Sequence, residues 1–465
     1  MVEEVGYSKI VKRNIENTIT EGNINAIKVG VGESYFDAFA IKVINATPFQ
    51  LGLLSSIPML LGYISNIFSH KAVEKLKSRK SLILFCILIN SLCFFPIFLS
   101  VFIKGYEFLF LLLSITLYFI SELFLVPAWV SLMGDIIPDQ IKGLYFGERN
   151  KSMKFFAFAS MLMGGFILQT LSGFSLLAAF GIIFFIAFLA RLASFYIFTK
   201  IYEPEYVFDK SYKFSFLEFI KNLKNTNFGI FVIFMCIFTI SYRIAAPYFS
   251  LYIFRYLEFD YMKYTIITAS SALATILSMP IWGRYVDEYG NKKVMTVTAF
   301  CIPFIPLLWM LSSNFLYLIL VELFSGFVWA GFNLSSFNFI FFSTSSEKRS
   351  LVQSYYNVLL GISLFVGSII GGLLIEKAKM FEIPVFNVFI ISAIFRFLSV
   401  IFLIHKIKEP LKKKEISYSK LLFTASFVEI WKSLQNINIV KWKRRKKSIF
   451  EKLVEVMEKD AGGRI

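Results

Sequence analysis

Histidine is almost absent: His70 and His405 are the only two in 465 residues, and each lies at the end of an apolar run. Nucleophile–base catalysis and metal binding both draw on histidine, and nothing here supplies a substitute set. The four cysteines, Cys86, Cys93, Cys236 and Cys301, stand within apolar runs without metal-type pairing and read as buried free thiols. No glycine-rich loop closing on Lys-Ser/Thr is present, so the chain has no nucleotide-driven motor of its own. Catalytic residues, metal and cofactor are therefore assigned as none, and the chain is read as no enzyme. A membrane-embedded enzyme acting on lipid would need the groups that are missing.

Acidic residues are few, 31 against 48 basic, for a net charge of +17. The tail 406–465 holds 16 Lys/Arg against 7 Asp/Glu, and most of the remaining excess lies in short loops. That distribution fits membrane topology and argues against a nucleic-acid partner. What the chain has in abundance is apolar surface: 57% hydrophobic residues, 18% aromatics and a mean hydropathy of +0.67. Runs of about twenty apolar residues, enough for a helix to cross a bilayer, recur at 24–46, 50–69, 82–103, 107–133, 152–172, 176–199, 229–255, 263–282, 294–312, 315–342, 351–375 and 383–404. The expected fold is an all-α polytopic membrane protein of twelve spans in the lipid bilayer.

Twelve spans put both termini on one side. Loops on that side carry Lys71, Lys75, Lys77, Arg79 and Lys80, then Lys142, Arg149 and Lys151, then Lys292, Lys293, Lys348 and Arg349. The opposite loops offer a scatter such as Lys104 and Lys263, so the positive-inside rule places both termini in the cytoplasm of a cell-membrane protein. The polar start "MVEEVGYSKIVKRNIENTITEGN" has no apolar core and reads as a cytoplasmic segment rather than a secretory signal. Residues 212–228 and the tail stretch "LLFTASFVEIWKSLQNINIVKWKRRKK" read as amphipathic surface helices, the second with a basic end suited to anionic lipid or simply to solvent.

An internal repeat organises the chain. A shift of 213 residues lays Tyr35-Phe36 over Tyr248-Phe249, Glu74 over Asp287 and Arg79-Lys80 over Lys292-Lys293. A shift of 207 lays Gly164-Gly165 over Gly371-Gly372, and nearly superposes Arg191 on Arg396 and Glu203-Pro204 on Glu409-Pro410. The domains expected are an N-terminal segment 1–23, six-helix bundles at 24–200 and 229–405, a linker 201–228 and a basic tail 406–465. Parallel repeats of this kind are a transporter architecture with its site between the halves.

The turn "GRYVDEYGNKKVM" (283–295) and its partner "HKAVEKLKSRKSL" (70–82) resemble the signature loop of the major facilitator superfamily: Gly, a carboxylate four residues on, then Gly and two basic residues. The second copy has Gly283, Asp287, Gly290, Lys292 and Lys293; the first keeps Glu74, Arg79 and Lys80 without the glycines. "GESYFDAFAIK" and "PAWVSLMGDIIPDQIKGLYFGERN" are similar to a largely uncharacterised branch of its permeases. The resemblance implies two pseudo-twofold six-helix bundles with spans 1, 4, 7 and 10 around a central cavity. It also implies a cytoplasmic gate (Glu74, Arg79, Asp287, Lys292, Arg349) in which Asp287 meets the start of span five near Asn150, and Glu74 that of span eleven near Ser350. Span four lacks the central Arg and span five the Gly-Pro antiporter signature of other members.

Charges within the spans are expensive and mark cavities or partners. They are Glu33 and Asp37 (span one), Glu122 (span four), Arg191 (span six), Arg243 (span seven), Glu322 (span ten) and Arg396 (span twelve). Apart from the two arginines of spans six and twelve, all fall on spans 1, 4, 7 and 10. Glu33 and Asp37, four apart, are expected on one helical face as proton-coupling carboxylates, with Arg243 across the twofold as ion-pair partner or anion clamp. Tyr35, Trp129, Asn333 and Asn338 are candidate cavity residues, each equally open to a packing role. Arg191 and Arg396 read as structural pairs or snorkelling groups. The expected function is secondary active transport of a small solute by alternating access, coupled to protons or sodium or merely facilitative, by a monomer. The rival reading is a receptor or sensor that keeps a transporter fold without transport.

Overall fold

The computed structural model describes residues 2–421 apart from 139–140, 205–214, 344–345, 379, 410–413, 415 and 419–420, and it describes no side chains for 2–9, 342 and 346–350. The described residues are helical throughout, with no strand. Among the described residues ten helices are long and apolar enough to cross a membrane, and Pro48–Asn66 with Ser69–Leu76, bent by 50°, makes an eleventh. The remaining span is the first, which is more polar than the others. It runs as a helix over Val2–Val31, a 3-10 turn Glu33–Tyr35 and a short helix Phe36–Lys42.

Boundaries differ from the hydropathy reading in two ways. The polar N-terminal stretch is helical and continuous with span one from Val2, with Val11, Asn14, Ile15, Thr18 and Glu21 all buried against the N-terminal bundle. Helices also continue past their apolar runs on the side of the termini: span five is Lys142–Leu171, span eight Tyr261–Tyr289 and span eleven Ser346–Lys377. Hydropathy marks where lipid begins, not where backbone hydrogen bonding ends.

Small residues let these helices meet. Gly22, Ala26 and Gly30 form one stripe of span one. A Cβ at Gly30 would overlap Ser160 and Ala157 of span five, and one at Gly22 would lie 2.8 Å from the Arg149 guanidinium. Ser160-Gly164 and Gly367-Gly371 serve the equivalent crossings in the two halves. Gly164 lies under the Tyr35 ring and Gly371 under the Tyr248 ring. Tyr35 donates to Met161 O at 2.5 Å and Tyr248 to Ser368 O at 2.6 Å. Those pairs are related by shifts of 213 and 207, so the weak repeat in the sequence is a real equivalence of contacts.

The signature loops repeat as well. Glu203, just past span six, accepts from Arg79 N at 2.8 Å; Glu409, just past span twelve, accepts from Lys292 N at 2.6 Å. Each carboxylate thus sits at the positive start of a helix. The charged turn proves to be a single residue. Gly290, at φ 93° and ψ 161°, separates the helix ending at Tyr289 from the one starting at Asn291. The equivalent residue in the first half is Lys77, held left-handed at φ 52°.

The chain after span twelve docks back onto the second loop. Lys414 N donates to Glu288 O at 3.2 Å, and Leu421 is buried in a cluster with Trp282, Tyr285 and Val294. The rest of the proposed amphipathic tail lies outside the described residues. In the linker, Phe216–Asn222 is helical and its Phe219 is buried against Tyr355.

Gly290→Ala should destabilise the protein by about 1–3 kcal/mol, because that backbone region is essentially glycine-only. Lys77→Gly relieves about 1–2 kcal/mol of left-handed strain against added backbone entropy, for a net gain below about 1 kcal/mol. Thermal unfolding in detergent should therefore move in opposite directions for the two variants; a shared sign would refute the assignment of strain to these turns.

Candidate functional site: a charged ladder and a one-sided seam

Span one carries a polar stripe, Asn14, Thr18, Glu21, Asn25 and Lys28, spaced alternately four and three so that all five share a helical face. From it grows a ladder of alternating charge inside the N-terminal bundle. Arg149 Nη2 is 3.4 Å from Glu21, Glu21 is 3.7 Å from Arg191 Nη1, and Arg191 Nη2 is 2.8 Å from Glu122. Lys28 Nζ, fully buried, lies 3.3 Å from the same Glu122 oxygen and 3.9 Å from Glu33. Tyr118 closes the row by donating to Glu33 at 2.7 Å. Asn90 and Asn25 occupy the remaining donors of Arg191 at 3.0 and 2.7 Å. Three cations and three carboxylates balance, as buried charges must. Glu21, Glu122, Trp129, Arg149 and Arg191 border a cavity of about 150 Å³ within this bundle. Trp129 lines it with the Arg149 guanidinium 4.5 Å above its ring.

Hydropathy alone misses Glu21, because it begins the span at residue 24, and gives Lys28, near that start, no partner. The alternating spacing of the polar stripe was the available signal. Arg191 does not snorkel; it is the hub of the ladder.

On the side away from the termini the two halves are stitched together. Arg255 Nη2 donates to Ala46 O at 2.7 Å, Lys42 Nζ to Phe254 O at 3.2 Å, and Met262 N to Gln169 at 3.3 Å. The Tyr35 hydroxyl, 2.9 Å from Thr265 Oγ1, pins span one to span eight, so Tyr35 is a buried seam residue rather than a cavity wall. Gly165 packs directly on Thr265 there. Toward the terminal side, Lys154 Nζ still meets Met279 Sδ between spans five and eight at 3.3 Å, and beyond it Gly143, Gly147 and Gly283 have open space where a side chain would be. Asn150, Asp287 and Asn333 are exposed on that side and Asn338 is half-buried.

Both first helices break at equivalent points, span one after Val31 and span seven after Arg243. Broken helices of this kind expose backbone ends and set charges at a transporter's midplane. Arg396 supports the second break by donating to Tyr242 O and Ile302 O, both at 3.3 Å. Arg243 Nη2 donates across the seam to Ser55 O at 3.0 Å, while its buried Nε has no acceptor. Asp37 acts electrostatically on Arg243 yet stands beyond ion-pair distance from it. The expectation that Glu33 and Asp37 form one unit facing Arg243 is therefore not met. The helix break turns them to different neighbours, Glu33 to Lys28 and Tyr118, Asp37 to Arg243 and Tyr264. Tyr242 and Trp329 stand beside Arg243's helix end, their rings 5.1 Å apart.

Glu322 accepts from Trp309 Nε1 at 3.0 Å between spans nine and ten, an environment unlike that of Glu122. Both begin an identical "ELF" in the sequence, at 122–124 and 322–324, but the two sites are not structurally equivalent. Arg79 is buried within its own half against Asp135, Ser131 and Glu203. Lys292 is likewise tied by its backbone to Glu409, and Glu74 is exposed. The helix starts lie at Lys142 and Ser346, eight and four residues before the expected Asn150 and Ser350. Arg349 falls outside the described side chains.

The sequence profile of the Major Facilitator Superfamily matches residues 29–256 and 230–450. The multi-drug resistance efflux pump PmrA of Streptococcus pneumoniae is 31% identical over 165 residues, covering 33% of this chain and 38% of that one. Its homolog in Lactococcus lactis is 31% identical over 159 residues, 32% and 36% of the two chains. The chain thus matches little more than a third of the length of these curated relatives. Among solved structures, the nucleoside transporter NupG superposes with a TM-score of 0.65 at 15% identity, covering 85% of this chain and 99% of that one. A D-xylose–proton symporter gives 0.68 at 11% identity, covering 87% and 99%. At such identities the likeness is one of fold. With the profile matched across both halves and the halves related contact by contact, the chain belongs to the major facilitator superfamily.

Proposed function

We propose that the protein is a secondary transporter of the cell membrane, with both termini cytoplasmic, that moves a small organic solute by alternating access. The observation that carries this reading is the one-sided seam. Hydrogen bonds close it away from the termini, while on the terminal side Gly143, Gly147 and Gly283 of spans five and eight meet no neighbour. At its closed end lie the broken first helices, with Arg243 and Asp37. The membership of the family, and the solutes carried by the proteins it superposes on, support transport over a sensor role.

Of the two carboxylates in span one, Asp37 suits proton coupling. Glu33 is held by Lys28 and Tyr118 within a balanced ladder. Among the described residues Asp37 makes no ion pair, and the groups that act on it electrostatically, Arg243 and Tyr264, both belong to the other half. A proton gained or lost there changes the attraction between the halves, which is what coupling requires. In proteoliposomes, wild type should accumulate a transported solute when a pH gradient is imposed. Asp37→Asn should retain counterflow within about twofold yet lose pH-driven accumulation. Undiminished pH-driven accumulation would remove Asp37 from the coupling role, and absence of counterflow for every solute class would favour the sensor.

The ladder is read as scaffold. Arg191→Met strands Glu122 and Glu21 in the interior and should cost about 3–5 kcal/mol. A drop in detergent thermal stability is expected; a fully stable variant would mean the ladder is not structural.

Asp287 is proposed as the latch for the opposite state, meeting the first turn of span five near Lys142 and Gly143 when the terminal side closes. Removing its charge forfeits roughly 0.3–1 kcal/mol of helix-end attraction. Asp287→Asn should therefore raise the open population about two- to fivefold. Maleimide labelling of a cysteine placed at the exposed Asn333 should accelerate accordingly; an unchanged rate would refute the latch.

A further inference from the structure

The seam contains two cations that the protein leaves short of partners. Lys154, half-buried on span five, donates from Nζ to Met279 Sδ of the other half at 3.3 Å. A thioether is a weak acceptor, and among the described residues no carboxylate pairs with this ammonium. Arg243, on span seven, uses Nη2 on Ser55 O, keeps a buried Nε without an acceptor, and among the described residues forms no ion pair, Asp37 acting on it only from beyond ion-pair distance. Arg191, by contrast, has two carboxylates and two asparagines; Arg396 also keeps a buried Nε without an acceptor, but it is held within its own half by two helix-end carbonyls rather than across the seam. An unpaired cation in a low-dielectric site carries a large penalty unless something fills it.

We propose that the missing partner is the substrate, and that the transported solute is an organic anion with an aromatic body. Its carboxylate or similar group would be held by Arg243 at the closed end of the seam, after passing Lys154 nearer the terminal side. Tyr242 and Trp329 at the Arg243 end offer stacking surfaces for a ring, with Phe238 behind them at 6.3 Å from Trp329. Tyr63, across the seam on span two, is also within electrostatic reach of Arg243 and Tyr242.

This inference rests on the transporter reading and adds a sign to its coupling. The groups acting on Asp37 are Arg243 from span seven and Tyr264 from span eight. An anion on Arg243 would repel ionised Asp37 and accept protonated Asp37, so anion and proton should bind together.

The test uses the purified full chain with a matched trio of probes: 2-naphthoate, the neutral 2-naphthamide and the cationic 2-naphthylmethylammonium. Tryptophan quenching and thermal shift report binding; counterflow in proteoliposomes reports transport. Naphthoate should bind, and more tightly as pH falls, while the amide binds at least about tenfold more weakly. Arg243→Gln and Lys154→Gln should each weaken naphthoate about tenfold or more, Lys154→Arg should restore it, and Asp37→Asn should remove its pH dependence. Equal binding of all three probes, preference for the cation, or no binding of naphthoate at millimolar concentration overturns the proposal. Counterflow of a neutral or cationic solute that Lys154→Gln leaves intact overturns it while sparing the transporter reading; absence of counterflow for any solute sinks that reading itself.

Discussion

The whole N-terminal half is arranged around one buried ammonium. Lys28 has no exposed side-chain surface, and a lone cation there would be untenable in a bilayer. Two carboxylates flank it, Glu122 from span four and Glu33 from the break in its own span. Glu122 then needs Arg191, Arg191 needs Glu21, and Glu21 reaches Arg149. Each requirement recruits another helix, so satisfying one charge ties spans one, four, five and six into a single body. The glycine stripe of span one follows from the same demand, since side chains of this reach bridge only when the backbones are close.

The second half obeys a different rule with the same architecture. Arg396 stands where Arg191 stands in the repeat, yet its acceptors are the carbonyls of Ile302 and Tyr242. Those carbonyls belong to helix ends, where the macrodipole supplies partial negative charge in place of carboxylates. Arg396 therefore fixes the break of span seven and, with it, the direction of Arg243. Aromatic rings fill the space that ions occupy in the first half, with Phe234, Phe238, Phe332 and Trp329 in mutual contact. The first bundle adds charge pairing to an aromatic cluster of its own (Phe36, Phe94, Tyr118 and Phe184), while the second relies on rings and helix-end carbonyls.

That asymmetry explains what could be read in advance. The repeat, the number of spans and the signature loops were legible because they depend on residue order and on hydropathy. Tyr35 and Tyr248, or Glu203 and Glu409, align by simple shifts and make equivalent contacts. The ladder was hidden because its stripe begins in a stretch too polar to register as a span, and because pairing cancels charge only in three dimensions. Glu33 and Asp37 misled for another reason. Four-residue spacing places them together on a continuous helix, and the interruption at Gly32 to Tyr35 rotates one away from the other. Helix starts were misplaced wherever polar turns extend beyond lipid, which moved the expected latch from Asn150 to the first turn at Lys142.

The location of the underpaired groups is itself informative. A chain that can build six-member charge balance in one half has no physical obstacle to pairing Lys154 or Arg243. Their incomplete partners lie on opposite halves of the seam, Met279 for Lys154 and Ser55 for Arg243. Such contacts exist only while the halves hold this relative pose, so they are weak where a permanent salt bridge would lock the motion. A thioether and a single carbonyl keep the cations oriented without committing them. A ligand with real negative charge would then outcompete both and lose nothing structural on release. Strong pairing within each half and weak pairing between halves is the division of bonding that a rocking mechanism demands.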